Sequence, residues 1–308
     1  MQKGVTLTAS SDATATFTGT FSGNQALSIS GSGGNVFLSG GGVNDFSAVS
    51  VSSGFLWLDN YAGQAIDADM NLTGGSTYWN QGNQVADTVN IAIGGSAAMN
   101  LLSNEETVRS ITMTSGSLTL GSAGILTLAN QADATWLGNV SGGNSSKLTK
   151  IGDGTTLRLG GAGNSSFTGA LYIDGGAVSL DKATAIGTAG RIYIGAEDGN
   201  GAYNSTLSIG VAGLSFGSAI TVKAGSGTRT ISNGAGSGTV TLSGNVTLQK
   251  DVILAAGADE NLTMGGIISG VGMKVTKTEA GTVTLSGNST YTGNTEIDQG
   301  TLVLSGKM

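Results

Sequence analysis

The most oxygen-rich stretch of the chain is Asp198-Gly-Asn-Gly-Ala-Tyr-Asn204, preceded by Glu197. Calcium takes about six to eight oxygen ligands, so Glu197, Asp198 and Asn200 are the candidate metal ligands. The loop lacks the glycine-rich nonapeptide spacing of calcium-binding β-rolls, and nothing else in the chain asks for a cofactor. Asp174 and Asp298 could act as acid/base carboxylates or as further calcium ligands. They occupy equivalent places in two copies of a repeat, just before a turn, which favours an Asx-type turn instead. Lys150, Asp153 and Arg158 resemble the set of a polysaccharide lyase, which pairs acidic calcium ligands with a basic residue. Lys150 recurs as Lys277, however, while Asp153 and Arg158 have no equivalents. Tyr78 and Trp79, with Trp57, Tyr61 and Trp136 also in the N-terminal half, could form a sugar-stacking platform; packing or turn-covering is the competing use of such rings. The Thr-x-Thr triplets at Thr112–Thr114, Thr228–Thr230, Thr239–Thr241, Thr282–Thr284 and Thr290–Thr292 fall at spacings too uneven to form an ice-binding ladder.

The residues that are missing exclude more than those present suggest. The 308-residue chain has no His, Cys or Pro. Ser-His-Asp and Cys-His catalysis, disulfides and thiolate metal sites are therefore excluded within it. The net charge is −7 and the basic residues form no stripe, which argues against nucleic-acid binding. No apolar run reaches the length of a membrane-spanning helix. The opening Met-Gln-Lys-Gly-Val-Thr-Leu-Thr is not a secretory signal; it reads as an internal segment given a new start.

These candidates must be held by short strands. Gly contributes 54 residues and charged residues only 11%. Glycine supplies sharp corners, and Thr and Val suit a pleated surface. Alternating runs such as Val5–Thr8, Val36–Ser39 and Phe55–Leu58 have a period of two, and Thr206–Ile209 and Val252–Ala255 read as further strands. Asp181–Gly187 reads as a helical turn. Residues 61–105 are the least regular, with an excursion from the regular pattern or a short helical turn expected there or at Ser103–Arg109.

The octapeptide Gly-Thr-Val-Thr-Leu-Ser-Gly-Asn occurs twice, at 238–245 and 281–288. A longer unit recurs around it. Phe167-Thr-Gly parallels Tyr291-Thr-Gly, Ile173-Asp174 parallels Ile297-Asp298, and Leu180 parallels Leu304, all at an offset of 124. Full copies thus lie at 148–180 and 275–306, with a weaker one at 27–58. Such spacing predicts an all-β solenoid running through residues 1–308 as one domain, a parallel β-helix in which equivalent strands stack. Val240, Leu242, Val283, Leu285, Ile297, Leu302 and Leu304 are the expected inward residues, with the intervening Thr facing out.

The pattern Leu-Thr-Lys-x-Gly-x-Gly-Thr-x-x-Leu, then Phe/Tyr-Thr-Gly, Ile and Gly, resembles the autotransporter-associated β-strand repeat of Gram-negative surface proteins. The match is close at 275–306 and good at 148–180. The resemblance implies a right-handed helix, export and display outside the outer membrane. No barrel strands precede Ser305-Gly-Lys-Met308, so the reading is of a passenger-like piece, or of a β-helical subunit exported otherwise. Function is expected to be structural and non-enzymatic: a rigid stalk, adhesin scaffold or fibre subunit. Strands Val5–Thr8 and Thr301–Ser305 carry no polar caps, which predicts end-to-end stacking with further copies, alongside contact with a polysaccharide or host surface. The alternative is a carbohydrate-active or carbohydrate-binding protein on the same fold.

Overall fold

In a parallel solenoid, each backbone N–H and C=O must find its partner on the neighbouring turn rather than nearby in sequence. A computed structural model describes residues 4–129, 132–161, 165–187 and 190–307. Every element among them is a β-strand. Asp181–Gly187 is a hydrogen-bonded turn, not the helical turn that its composition suggests. Ala185 N–H donates to Lys182 O at 3.0 Å and Gly187 N–H donates to Phe167 O at 2.6 Å. The second of these bonds ties the amide to a neighbouring rung and leaves no room for a helical ladder.

The chain forms two compact units. The first comprises Met1–Leu148 and Ala162–Ser166. One of its sheets stacks Val5–Leu7, Gln25–Ile29, Phe46–Val51, Met70–Leu72, Asn90–Ile93, Ser110–Met113 and Ala134–Trp136 in parallel order. A second stacks Thr14–Phe17, Asn35–Leu38, Phe55–Leu58, Ser76–Trp79, Ala98–Asn100, Ser117–Thr119 and Asn139–Gly142. Within the stretch 61–105, Met70–Leu72, Ser76–Trp79, Asn90–Ile93 and Ala98–Asn100 lie in these sheets, while 61–69 and 80–89 run as turns. A third face starts only at Glu105–Val108 and Ile125–Ala129. Before it, the side is closed by turns, with Ile66 bridging Val85.

The second unit comprises Thr149–Gly161 and Phe167–Met308. Sheet I holds Thr156–Leu159, Gly176–Leu180, Ser205–Ile209, Arg229–Asn233, Val252–Ala256, Val275–Thr278 and Thr295–Ile297. Sheet II begins with Lys147–Ile151, the strand on which the boundary falls, and continues through Ala170–Asp174, Arg191–Ile194, Ala219–Val222, Val246–Leu248 and Ile268–Ser269. Sheet III holds Ser215–Phe216, Gly238–Leu242, Glu260–Met264, Thr282–Leu285 and Thr301–Leu304.

Alternation gives these strands a dry side and a wet side. In the first unit Val36, Leu56, Thr77, Met99, Leu118 and Val140 form one inward column, all buried. In sheet III the column is Val240, Leu262, Val283 and Leu302. The two octapeptide copies thus lie in register but do not touch. Asn261-Leu-Thr-Met264 stands between them, so equivalent strands are two rungs apart rather than one. Four of the seven expected core residues, Val240, Leu242, Val283 and Leu285, are buried. Leu302 is half-buried, while Ile297 and Leu304 are 54% and 52% exposed. These three continue inward columns, stacking on Val283, Lys277 and Leu285, but no described strand covers them.

Leu262 is sealed by a strand on either side and Leu304 on one side alone. Leu262→Ala should therefore lower stability by about 2–5 kcal/mol and Leu304→Ala by less than about 1 kcal/mol, read from guanidinium denaturation.

Candidate functional site

The buried charged side chains Glu106, Lys150, Arg229 and Lys277 bind mainly backbone. Glu106 lies on the inward phase of Glu105–Val108 with Val108 and is 1% exposed. Its Oε2 accepts from Trp79 Nε1 at 2.7 Å, Gln84 N–H at 2.8 Å and Val85 N–H at 3.0 Å. Its Oε1 accepts from Thr107 N–H at 3.0 Å. The carboxylate thus closes the turn that precedes the third face. Burial pushes its pKa up to about 7, against those four donors, each of which pulls it down.

In the second unit cations play the matching part. Arg229, 1% exposed, presents five N–H donors and meets five carbonyls. Nη1 donates to Tyr203 O at 2.8 Å and Thr228 O at 3.1 Å, Nη2 to Gly201 O at 3.1 Å and Ala224 O at 2.9 Å, and Nε to Lys223 O at 3.2 Å. Two of these carbonyls, at Gly201 and Tyr203, belong to the oxygen-rich loop. The loop therefore turns carbonyls onto the chain's own guanidinium. The Asp198 carboxylate accepts from Asn200 N–H at 2.9 Å and from Asn200 Nδ2 at 3.2 Å, closing an Asx turn that holds its pKa below the usual range. Glu197 faces elsewhere. It bonds the Tyr172 hydroxyl, whose pKa is pushed up to about 12 by burial first and by that carboxylate second. The Tyr172 ring stacks on Tyr193 at 4.4 Å. Glu197, Asp198 and Asn200 are thus not gathered around one point, and no group of three acidic side chains with metal-holding geometry occurs among the described residues. Asp174 has its pKa raised by burial and by Asp198, and lowered by Arg229.

Lys150 and Lys277 are each 0% exposed. Lys150 Nζ donates to Gly152 O and Gly175 O, both at 2.9 Å, and to Thr155 Oγ1 at 3.0 Å. Lys277 Nζ donates to Thr278 O, to Glu279 O at 2.7 Å and to Gln299 O at 3.3 Å. The lyase-like trio is not assembled. Lys150 is internal, Asp153 caps Gly154 N–H at 3.0 Å, and the half-exposed Arg158 pairs with Asp181 at 2.8 Å.

Tyr78 and Trp79 are neighbours in one strand and so face opposite ways. Trp79 is buried against Glu106 and offers no surface to a sugar. Tyr78 faces out and stacks on Trp57 at 4.2 Å, which stacks on Phe37 at 5.3 Å. Such a column spends its ring faces on one another and leaves edges for solvent. Trp136 is internal, bonded to Ile111 O at 2.6 Å, and Tyr61 stands alone, 77% exposed. The outer face of sheet I bears a shallow groove beside Thr228, Lys250, Asp251, Lys274, Glu296 and Asp298. Lys274 pairs there with Glu296 at 2.9 Å, Asp251 accepts the backbone N–H of Lys274 at 2.8 Å, and Lys250 Nζ donates to Gly225 O.

Sequence reasoning missed Glu106 and Arg229. Period-two counting from Val108 puts Glu106 inward, and counting from Ile231 does the same for Arg229. Both signals lie in the alternation, although Glu and Arg are among the residue types least often found fully buried.

Residues 275–304 match the Passenger-associated-transport-repeat family model. This is the stretch whose motif carries the closest resemblance in sequence. No curated protein matches the chain. The molecule is thus a β-solenoid carrying a repeat associated with autotransporter passengers.

The Glu106 carboxyl has a folded pKa of about 7 against the ordinary 4.5 of a solvated glutamate, so the folded chain holds a proton that the unfolded chain releases between those values. Its contribution to stability is complete below pH 4.5 and is lost as pH rises through 7. The loss is on the order of 3 kcal/mol. Denaturation midpoints measured from pH 4 to 8 should show this fall in the native chain and a flatter profile in Glu106→Gln.

Proposed function

We propose that the chain is a non-enzymatic stretch of an exported bacterial surface protein, serving as a stiff spacer or adhesin scaffold. The observation that carries this reading is the use to which charge is put. Glu106, Lys150, Arg229 and Lys277, the buried charged groups most suited to chemistry, are spent on backbone groups at corners. A catalytic site would leave at least one such group free to face a substrate. The transport-repeat match supports a place outside the cell, as part of an autotransporter passenger. The exposed inward positions Ile297 and Leu304 suit one more rung, supplied by further chain or by a second copy.

Two measurements test this. The gene that encodes the chain should carry an export signal upstream and an outer-membrane barrel downstream, and surface proteolysis of intact cells should release the segment; recovery from the cytoplasm alone would refute the placement. Electron microscopy and sedimentation of the purified chain across a concentration series should show filaments that lengthen with concentration if copies supply the next rung, and uniform particles if further chain does. Cleavage of an acidic polysaccharide by the purified chain, abolished by a chelator, would instead establish the carbohydrate-active alternative.

A further inference from the structure

Lys150 and Lys277 occupy the same position of the repeated motif, yet they stand on different sheets. Lys150 lies in Lys147–Ile151 of sheet II, and Lys277 in Val275–Thr278 of sheet I. The rest of each copy follows suit. Ile173 is on sheet II and its equivalent Ile297 on sheet I; Leu180 is on sheet I and Leu304 on sheet III. The second copy is therefore displaced by one face around the solenoid. A surface ligand site repeated in this way would point in two directions.

What is preserved is internal. Both lysines bond the carbonyl two residues on, at Gly152 and at Glu279, and both bond a carbonyl of the following rung, at Gly175 and at Gln299. Gly175 and Gln299 are themselves equivalent in the motif, each preceding the motif glycine, Gly176 or Gly300. Those glycines have φ of 64° and 75°, in the left-handed region. A Cβ on Gly176 would lie 2.7 Å from the Lys150 ammonium, and one on Gly300 would lie 2.4 Å from Glu279 O. The corner is built tight around the cation at both places.

An ammonium has three donors and is costly to bury with any of them unmet. Its own rung supplies oxygens on one side. The remaining acceptor arrives only with the next rung. Corner carbonyls in turn have no ladder partner and need a donor. We propose that the motif lysine is a two-rung clamp, which makes each copy of the motif close only together with the rung that follows it, whichever face it occupies. This concerns how the motif folds and stands independently of where the protein is displayed.

Hydrogen exchange of the full chain, followed by mass spectrometry, tests it. Lys150→Met keeps an unbranched side chain, one atom shorter, and removes the donors. Amides of 174–178 should exchange roughly tenfold faster or more, with 252–264 unchanged. Lys277→Met should do the same at 295–304 and spare 174–178. Thr155→Val, which removes one Lys150 acceptor and keeps the shape, should give a smaller rise at 174–178. Unchanged exchange at those corners would overturn the clamp. So would an equal rise across 252–264, or a variant that loses its fold altogether, because either result would make the lysine a general core residue rather than a link between two rungs.

Discussion

Hydrogen bonding from one rung to the next is the constraint on which everything else rests. Leu27 pairs with Val49, Val49 with Met70 and Met70 with Ile91, so each strand depends on a neighbour some twenty residues away. Within strands the requirement is met by backbone alone. At corners the chain turns, the ladder lapses, and carbonyls and amides are left over. Glycines with positive φ allow the turn, and side chains satisfy what it exposes. Asp45 accepts the amides of Gly23 and Asn24, Glu260 those of Gly236 and Gly257. Buried charge in this protein is largely corner chemistry.

Stacking also explains how large polar groups come to be inside. Trp79, Trp136, Arg229, Lys150 and Lys277 are among the largest fully buried side chains. Each carries a donor group that reaches a carbonyl or a carboxylate, Lys150 adding the Thr155 hydroxyl. The pairing of Trp79 with Glu106 shows the cost of such an arrangement. A carboxylate in a dry interior resists ionisation even when four N–H groups point at it.

Much of the architecture was legible in the sequence, because alternation and glycine punctuation are local. Val240, Leu242, Val283 and Leu285 were placed inward by period alone, and the motif at 275–306 coincides with the family match. The site was less legible. The calcium reading of Asp198–Asn204 counted oxygens without knowing that Arg229, far along the chain, supplies a cation for two of them. The Tyr78–Trp79 platform treated neighbours in sequence as neighbours on a surface, which a strand forbids. The two octapeptides were expected to lie side by side. Sequence identity reports the face they share, but the number of rungs between them depends on how many residues each turn consumes.

The displacement of one motif copy by a single face has a bearing on how such chains grow. A repeat that had to return to the same face could be gained or lost only in whole turns. One that carries its own corner cation and its own glycine tolerates any insertion that ends at a corner, because what it needs is a following rung rather than a particular compass direction. Sequence spacing between copies is then free to drift while the stack stays in register. Length becomes the easiest property of the molecule for evolution to alter.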